Sequence, residues 1–155
     1  MNSLDNNVRN KVYLELQRVL HTITKANGYT TQPLVCESWL EARDAQESDR
    51  IWIMIGSEIF EGANLSNHQT VSLEFIIGAI VKGDGSDVQQ MSNALLQDVR
   101  NAIGGNRVDI HGNTGAVFVG FDRCETSYST IEEVEQVDWD QPVAFTYIAG
   151  GGSEW

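Results

Sequence analysis

The sequence predicts an α+β fold: one mostly antiparallel sheet with two main helices packed on one face, in the order α-β-β-β-α-β-β. Three observations carry this. Residues 69–82 alternate, with Val71, Leu73, Phe75, Ile77, Ala79 and Val81 on one face, the period of a long half-buried strand. Residues 87–103 then place Val88, Met91, Leu95, Val99 and Ala102 at helical spacing. Residues 6–27 repeat the helical pattern with Val8, Val12, Leu16, Val19, Leu20 and Ile23. Strands and helices in this succession make a sheet covered by helices on a face.

The first helix carries Arg9, Lys11, Glu15, Arg18 and Lys25 on its polar side. Asp5 or Asn6 suits its N-cap, and Asn27-Gly28 its stop. Residues 29–32 form a short link and Pro33 opens an extended segment. Residues 34–42 are expected as a strand of mixed polarity, and 43–50 (RDAQESDR) as a polar loop. Residues 51–55 make a short apolar strand that Gly56 ends or bends. Residues 58–68, with Gly62, Asn64, Ser66 and Asn67, read as a hairpin loop or flap leading antiparallel into the long strand.

Ile76 and Ile80 put apolar atoms on the second face of that long strand, which makes it central rather than an edge. The turn Gly83-Asp84-Gly85 follows, and Ser86 with Gln89 has the spacing of a capping box. Gly104-Gly105 stops the second helix. Residues 106–114 read as a polar connection. Residues 115–128 form another long strand, with Val117, Val119 and Phe121 on one face and Ala116, Phe118 and Gly120 on the other. Its polar second half, 122–129, is expected to leave the sheet as an exposed arm. Residues 130–141 are an acidic loop, Pro142 precedes the closing strand 143–149, and 150–155 form a flexible tail. The domain therefore spans residues 1–149.

A chain of 155 residues is long enough for one well-buried core. Ten basic against 22 acidic residues give a net charge of −12. Such a surface repels a phosphate backbone, whose binding needs Lys and Arg to release counterions. Acidity also keeps a protein soluble, and it lines a passage through which DNA slides without sticking. No apolar run approaches the roughly 20 residues that span a bilayer. The opening MNSLDNNVRNK lacks the apolar stretch of a signal peptide, so export by that route is not expected.

The search for chemistry returns nothing sharp. Cys36 and Cys124 have no CxxC spacing and read as small buried hydrophobes in strands. His21, His68 and His111 share no metal-site spacing. Asp109-x-His111 has the form of half a dyad but reads as solvated loop. Gly83-Asp84-Gly85-Ser86 lacks the Lys of a phosphate loop and the distal Glu of a calcium loop. The Asn64-Leu65-Ser66 sequon has no meaning without export. The carboxylates Glu132, Glu133, Glu135, Asp138 and Asp140 read as a solvated face, with no His or Lys beside them for acid–base work. Trp52 reads as core; Trp39 and Trp139 flank polar loops, as packed side chains or as contact anchors. No catalytic residue, cofactor site or metal site is assigned.

The succession of segments resembles the tail-terminator (tail-completion) proteins of long-tailed bacteriophages. The carrying features are the helix ending in Asn27-Gly28-Tyr29, the apolar strand 51–55 running on to Gly56-Ser57-Glu58, and the long strand 71–81. To these add the helix 87–103 with Leu95-Leu96-Gln97-Asp98-Val99-Arg100, and two final strands ending near Phe145-Thr146-Tyr147. The resemblance covers nearly the whole chain but rests on segment order and local words. It implies a virion subunit that closes into a hexameric ring at the head-proximal end of the tail. That ring stops tube polymerisation, meets the tail-tube protein and the head–tail connector, and lets DNA pass unbound. A closed ring needs a heterologous interface, for which the sheet edges and the loops 43–50 and 58–68 are candidates. The candidate contact residues are Trp39, Arg43, Arg50, Phe60 and Trp139. The alternatives are another neck or connector component, a tail-tube subunit, or a small α+β enzyme or ligand-binding domain with its site near Asp84.

Overall fold

The computed structural model describes residues 7–63, 68–83 and 86–150. The element order is α1 (Val8–His21), β1 (Leu34–Val35), α2 (Trp39–Asp44), β2 (Asp49–Ala63), β3 (His68–Gly83), α3 (Ser86–Gly105), α4 (Arg107–Thr114), β4 (Val117–Phe121), β5 (Glu125–Ile131) and β6 (Val134–Gly150). All six strands belong to one sheet, ordered β1-β2-β3-β6-β4, with β5 also paired to β6. Among the described residues only the β1–β2 pair is parallel. The fold is thus α+β with one mixed, mainly antiparallel sheet.

Strand β3 is central, and its alternation decides the core. Val71, Leu73, Phe75, Ile77, Ala79 and Val81 are all buried on the inner face. The ladders set them opposite Ile51 and Ile53 on β2 and opposite Val137, Trp139, Val143, Phe145 and Tyr147 on β6. Over this face lie Val12, Leu16, Val19 and Leu20 of α1, Val88, Leu95, Val99, Ala102 and Ile103 of α3, and Ile110 of α4. Two buried polar links fix the helical layer. Asp98 on α3 accepts from the N–H and the hydroxyl of Thr31, each at 2.7 Å. Gln141 on β6 accepts from Arg100 and donates to the carbonyls of Asp122 and Pro142.

The opposite face carries a second, smaller core of Cys36, Ala42, Trp52 and Ile80, roofed by α2. Trp52 lies flat on Gly78 across the β2–β3 pair; a Cβ at Gly78 would sit 2.5 Å from the indole.

Several sequence expectations are corrected. Helix α1 begins at Val8 with Asn7 as N-cap and ends at His21; a 3-10 turn, Lys25–Asn27, follows before Gly28. Asp5 and Asn6 lie outside the described residues. The strand expected over 34–42 is only two residues long, because Ser38 caps a helix instead. Its hydroxyl accepts from the Glu41 N–H, and the Glu41 carboxylate accepts from the Glu37 N–H. The loop 43–50 therefore shrinks to the residues between α2 and β2.

Strand β2 does not stop at Gly56. It passes through a bulge between Ile55 and Glu58 and runs to Ala63, so most of the expected flap is strand. The sequon (64–66) and the Asp84-Gly85 turn lie outside the described residues, as do the Ser86 side chain and the tail after Gly150. The polar connection 106–114 is helix α4, ended by Gly115 at φ 80°, a left-handed position that favours glycine.

The expected strand 115–128 is two strands on the same edge of β6, and the polar arm stays paired as β5. A bulge between Phe118 and Gly120 turns both Phe118 and Phe121 toward the core, while Val117 and Val119 are exposed. The acidic run is a hairpin: Ile131 pairs with Val134, and Glu132 and Glu133 form the turn at positive φ. Pro142 lies inside β6. Its carbonyl accepts from Asp122, so its ring nitrogen faces the same edge, at the break between β4 and β5 where no ladder N–H is needed.

Candidate assembly surface

Among the described residues the sheet has two open edges. On one side β1 covers only Arg50 and Ile51, so residues 52–63 of β2 have no further strand neighbour among the described residues. A strand edge of that length is a template for pairing with another chain. It carries exposed Ile55, Ile59 and Phe60. Beside it, Asn7, Arg9, Asn10 and Tyr13 of the α1 end form, with Ile55 and Phe75, an open groove of about 320 Å³. Glu58 organises this corner, accepting from the Tyr147 hydroxyl at 2.9 Å and from Arg9 at 3.4 Å. The other open edge is formed by β4 and β5.

Charge is segregated along the chain. Residues 7–28 hold Arg9, Lys11, Arg18 and Lys25 against Glu15 alone, a net +3 within a chain of −12. Arg18 is engaged by Glu15 at 2.9 Å. Residues 125–140 hold six acids and no base. Opposite signs on separate elements of one subunit suit a head-to-tail contact between copies.

The five candidate contact residues are not brought together. Trp39 and Arg43 share the exposed side of α2, the guanidinium 5.3 Å from the ring centroid, and Trp39 is 52% exposed. Phe60 is partly exposed at the far end of β2, level with Val71 and Tyr147. Arg50 and Trp139 are corrections: they are 1% and 2% exposed, so their side chains are used within the protomer. Arg50 donates to the carbonyls of Ala42 and Glu47, while Trp139 packs in the main core. Pairing with the distant β3 hid Trp139, and the unforeseen helix α2 hid Arg50, from a reading based on neighbouring polar loops. Ile55 was missed, and Glu58 and Ile59 were placed in a candidate loop instead of an edge strand, because Gly56 reads as a strand end; the resumed alternation of Glu58 and Phe60 against Ile59 is the signal that marks the strand.

Among the described residues no group of three His, Cys, Asp or Glu is arranged to hold a metal, and no helix is long and apolar enough to cross a membrane. Cys36 is buried, Cys124 half-buried, and both are free thiols outside the strands. Another groove, about 670 Å³, is an open trough lined by Lys25, Thr30, Thr31, Gln32, Ser48, Asp49, Gln90, Met91 and Ala94. Burial pushes the Asp49 carboxyl up, with Ser48 and Lys25 pulling it back.

On the outer face, burial raises the Asp138 carboxyl above its ordinary value of 3.8, opposed by the Gln136 hydrogen bond and by Lys82 and Arg50. Asp140 is raised by burial and then by the charge of Asp138. A carboxyl raised by folding binds its proton more tightly in the native state. It stabilises below the ordinary value, and that contribution is lost as pH climbs through the raised one. Asp138→Asn is therefore expected to stabilise the protein at pH 7, by no more than about 0.5 kcal/mol for a half-exposed group. The gain should vanish below pH 3.8. Urea unfolding of both proteins across pH checks this, and a loss of stability at pH 7 would refute it.

No family model and no curated protein matches this chain.

Proposed function

We propose that this chain is a structural subunit of a long-tailed bacteriophage particle, the tail terminator, and that its work is assembly rather than catalysis. In this reading copies join head to tail into a hexameric ring. The ring caps the tail tube, stops its growth and offers its other face to the head connector, and DNA passes the acidic subunits without specific binding.

The observation that supports assembly best is the open edge of β2 over residues 52–63, carrying exposed Ile55, Ile59 and Phe60. Monomeric proteins guard such an edge with charges, bulges, Pro or a covering element; this segment has Glu58, Glu61 and a bulge between Ile55 and Glu58 but neither Lys nor Pro, and it still exposes three large apolar side chains. The tail-terminator identity itself rests on the resemblance in segment order.

Mass by light scattering, alone and mixed with tail-tube protein, tests the proposal. The expected result is a ring-sized species, alone or on the tube, that ends tube growth. Ile59→Lys places a charge on the exposed edge strand and should abolish that species while leaving circular dichroism unchanged. A strict monomer that ignores the tube would overturn the reading. The same open edge also favours a tail-tube subunit or another neck ring. A protein that lengthens tubes is a tube subunit, and one that binds only the connector belongs to the neck.

A further inference from the structure

We propose that the free edge of β5 and the groove between it and α3 receive an extended, basic segment of a second polypeptide, added as a strand. The inference does not use the β2 edge that supports the ring reading. β5 pairs with β6 on one side only, and among the described residues no strand meets its other edge. Its sequence, ETSYSTI, has high strand propensity and none of the Lys or Pro that protects an edge.

Below that edge lies an open groove of about 290 Å³. Thr126, Tyr128, Val137 and Trp139 form its floor, and Gln89, Ser92, Asn93 and Leu96 of α3 its wall. An edge strand beside a helix, with a groove between them, is the arrangement into which extended peptides add by main-chain pairing.

One polar atom of the groove floor lacks a partner: the Trp139 indole N–H, on a side chain 98% buried, has no acceptor among the described residues. The complement it needs is a carbonyl, which a peptide carries.

Charge selects the occupant. Residues 125–140 hold Glu125, Glu132, Glu133, Glu135, Asp138 and Asp140 and no base. The β2 edge of a second copy, with Glu58 and Glu61 and no Lys or Arg in residues 52–63, is repelled there. Side chains of an added strand alternate between the two faces. Those on the inner face enter the groove against Leu96 and Tyr128 and should be apolar. Those on the outer face lie beside Glu125, which also pairs with Arg123 at 3.2 Å, with Asp138 and Asp140 one strand further in, and should be Lys or Arg.

The test uses the full chain and a blocked peptide of alternating Val and Lys, read by amide hydrogen exchange over residues 125–131. At about 1 mM peptide, alternate β5 amides should exchange at least about tenfold more slowly, with binding weakening steeply as salt rises. The peptide with Glu in place of Lys should give no protection. Asn93→Trp, at an exposed position on the α3 wall, should fill the groove and weaken binding at least about tenfold at unchanged melting temperature. No protection by the Val–Lys peptide, equal protection by the Glu peptide, or wild-type binding by Asn93→Trp would each overturn the proposal. So would protection that rises with protein concentration alone, which would assign the edge to a second copy.

Discussion

Phe75→Ala is expected to cost about 4 kcal/mol, the middle of the range for truncating a buried aromatic. Phe75 is fully buried at the middle of the central strand, level with Ile55 on β2 and Val143 on β6. The Tyr13 ring of α1 stands 6.4 Å from it, centroid to centroid. Truncation therefore empties the point where the helical layer meets the sheet, and close-packed neighbours refill such a space only in part. For a chain of this length the melting temperature should fall by about 8–16 °C. Ile76→Ala, one residue on and half-buried on the other face, should cost less than half as much. Urea unfolding followed by circular dichroism measures both. Equal costs would mean that the helices do not cover the face of Phe75.

Arg50→Ala is expected to cost about 3–5 kcal/mol, a large effect for a residue in a polar stretch of sequence. The guanidinium is buried where α2 ends. It donates to the Ala42 carbonyl at 3.0 Å and to the Glu47 carbonyl at 2.6 Å. Ala42 lies in the last turn of α2, where carbonyls have no partner within the helix and a cation is favoured. Removing the side chain strands two acceptors and opens a cavity under the second core. Arg50→Met should recover part of the loss by keeping the apolar stem, and Arg50→Lys part of it by keeping the charge without the fork. Amide exchange in α2 should accelerate before that of α1 or α3. A cost of under about 1 kcal/mol for Arg50→Ala would show that those carbonyls find water instead.

How far the fold is legible differs from one element to the next. Helices α1 and α3 and strand β3 were readable because the face each turns to the main core follows a regular period. The dipeptides that mislead are those whose local meaning was overridden. Gly56 reads as a strand end, yet the ladder resumes past it through a bulge, since β3 offers partners as far as Gln69. Gly104-Gly105 reads as the end of helical structure, yet α4 follows at once. Its buried Ile110, and the Asn113 hydrogen bond to Glu15 of α1, hold it there. Ser38-x-x-Glu41 was a local signal for α2, masked by the apolar residues around it.

The candidate site was less legible than the fold. Trp139 and Arg50 look like surface residues from their polar neighbours, but one belongs to an inner face that β3 defines and the other caps a helix eight residues earlier. Conversely, the exposure of Ile55 and Ile59 follows from what is missing beside β2, and a sequence carries no record of which edge stays uncovered.

By itself the sequence determined the α+β class, the buried face of the central strand, the two long helices and the separation of a basic first helix from an acidic remainder. These are properties of period and composition, which each segment carries alone. Only the tertiary structure decided that β2 runs the length of the sheet, that the acidic run is a hairpin, that a short helix roofs a second core, and which edges remain open. Those outcomes depend on pairing between segments far apart in the chain, where a bulge or a distant partner outweighs local preference.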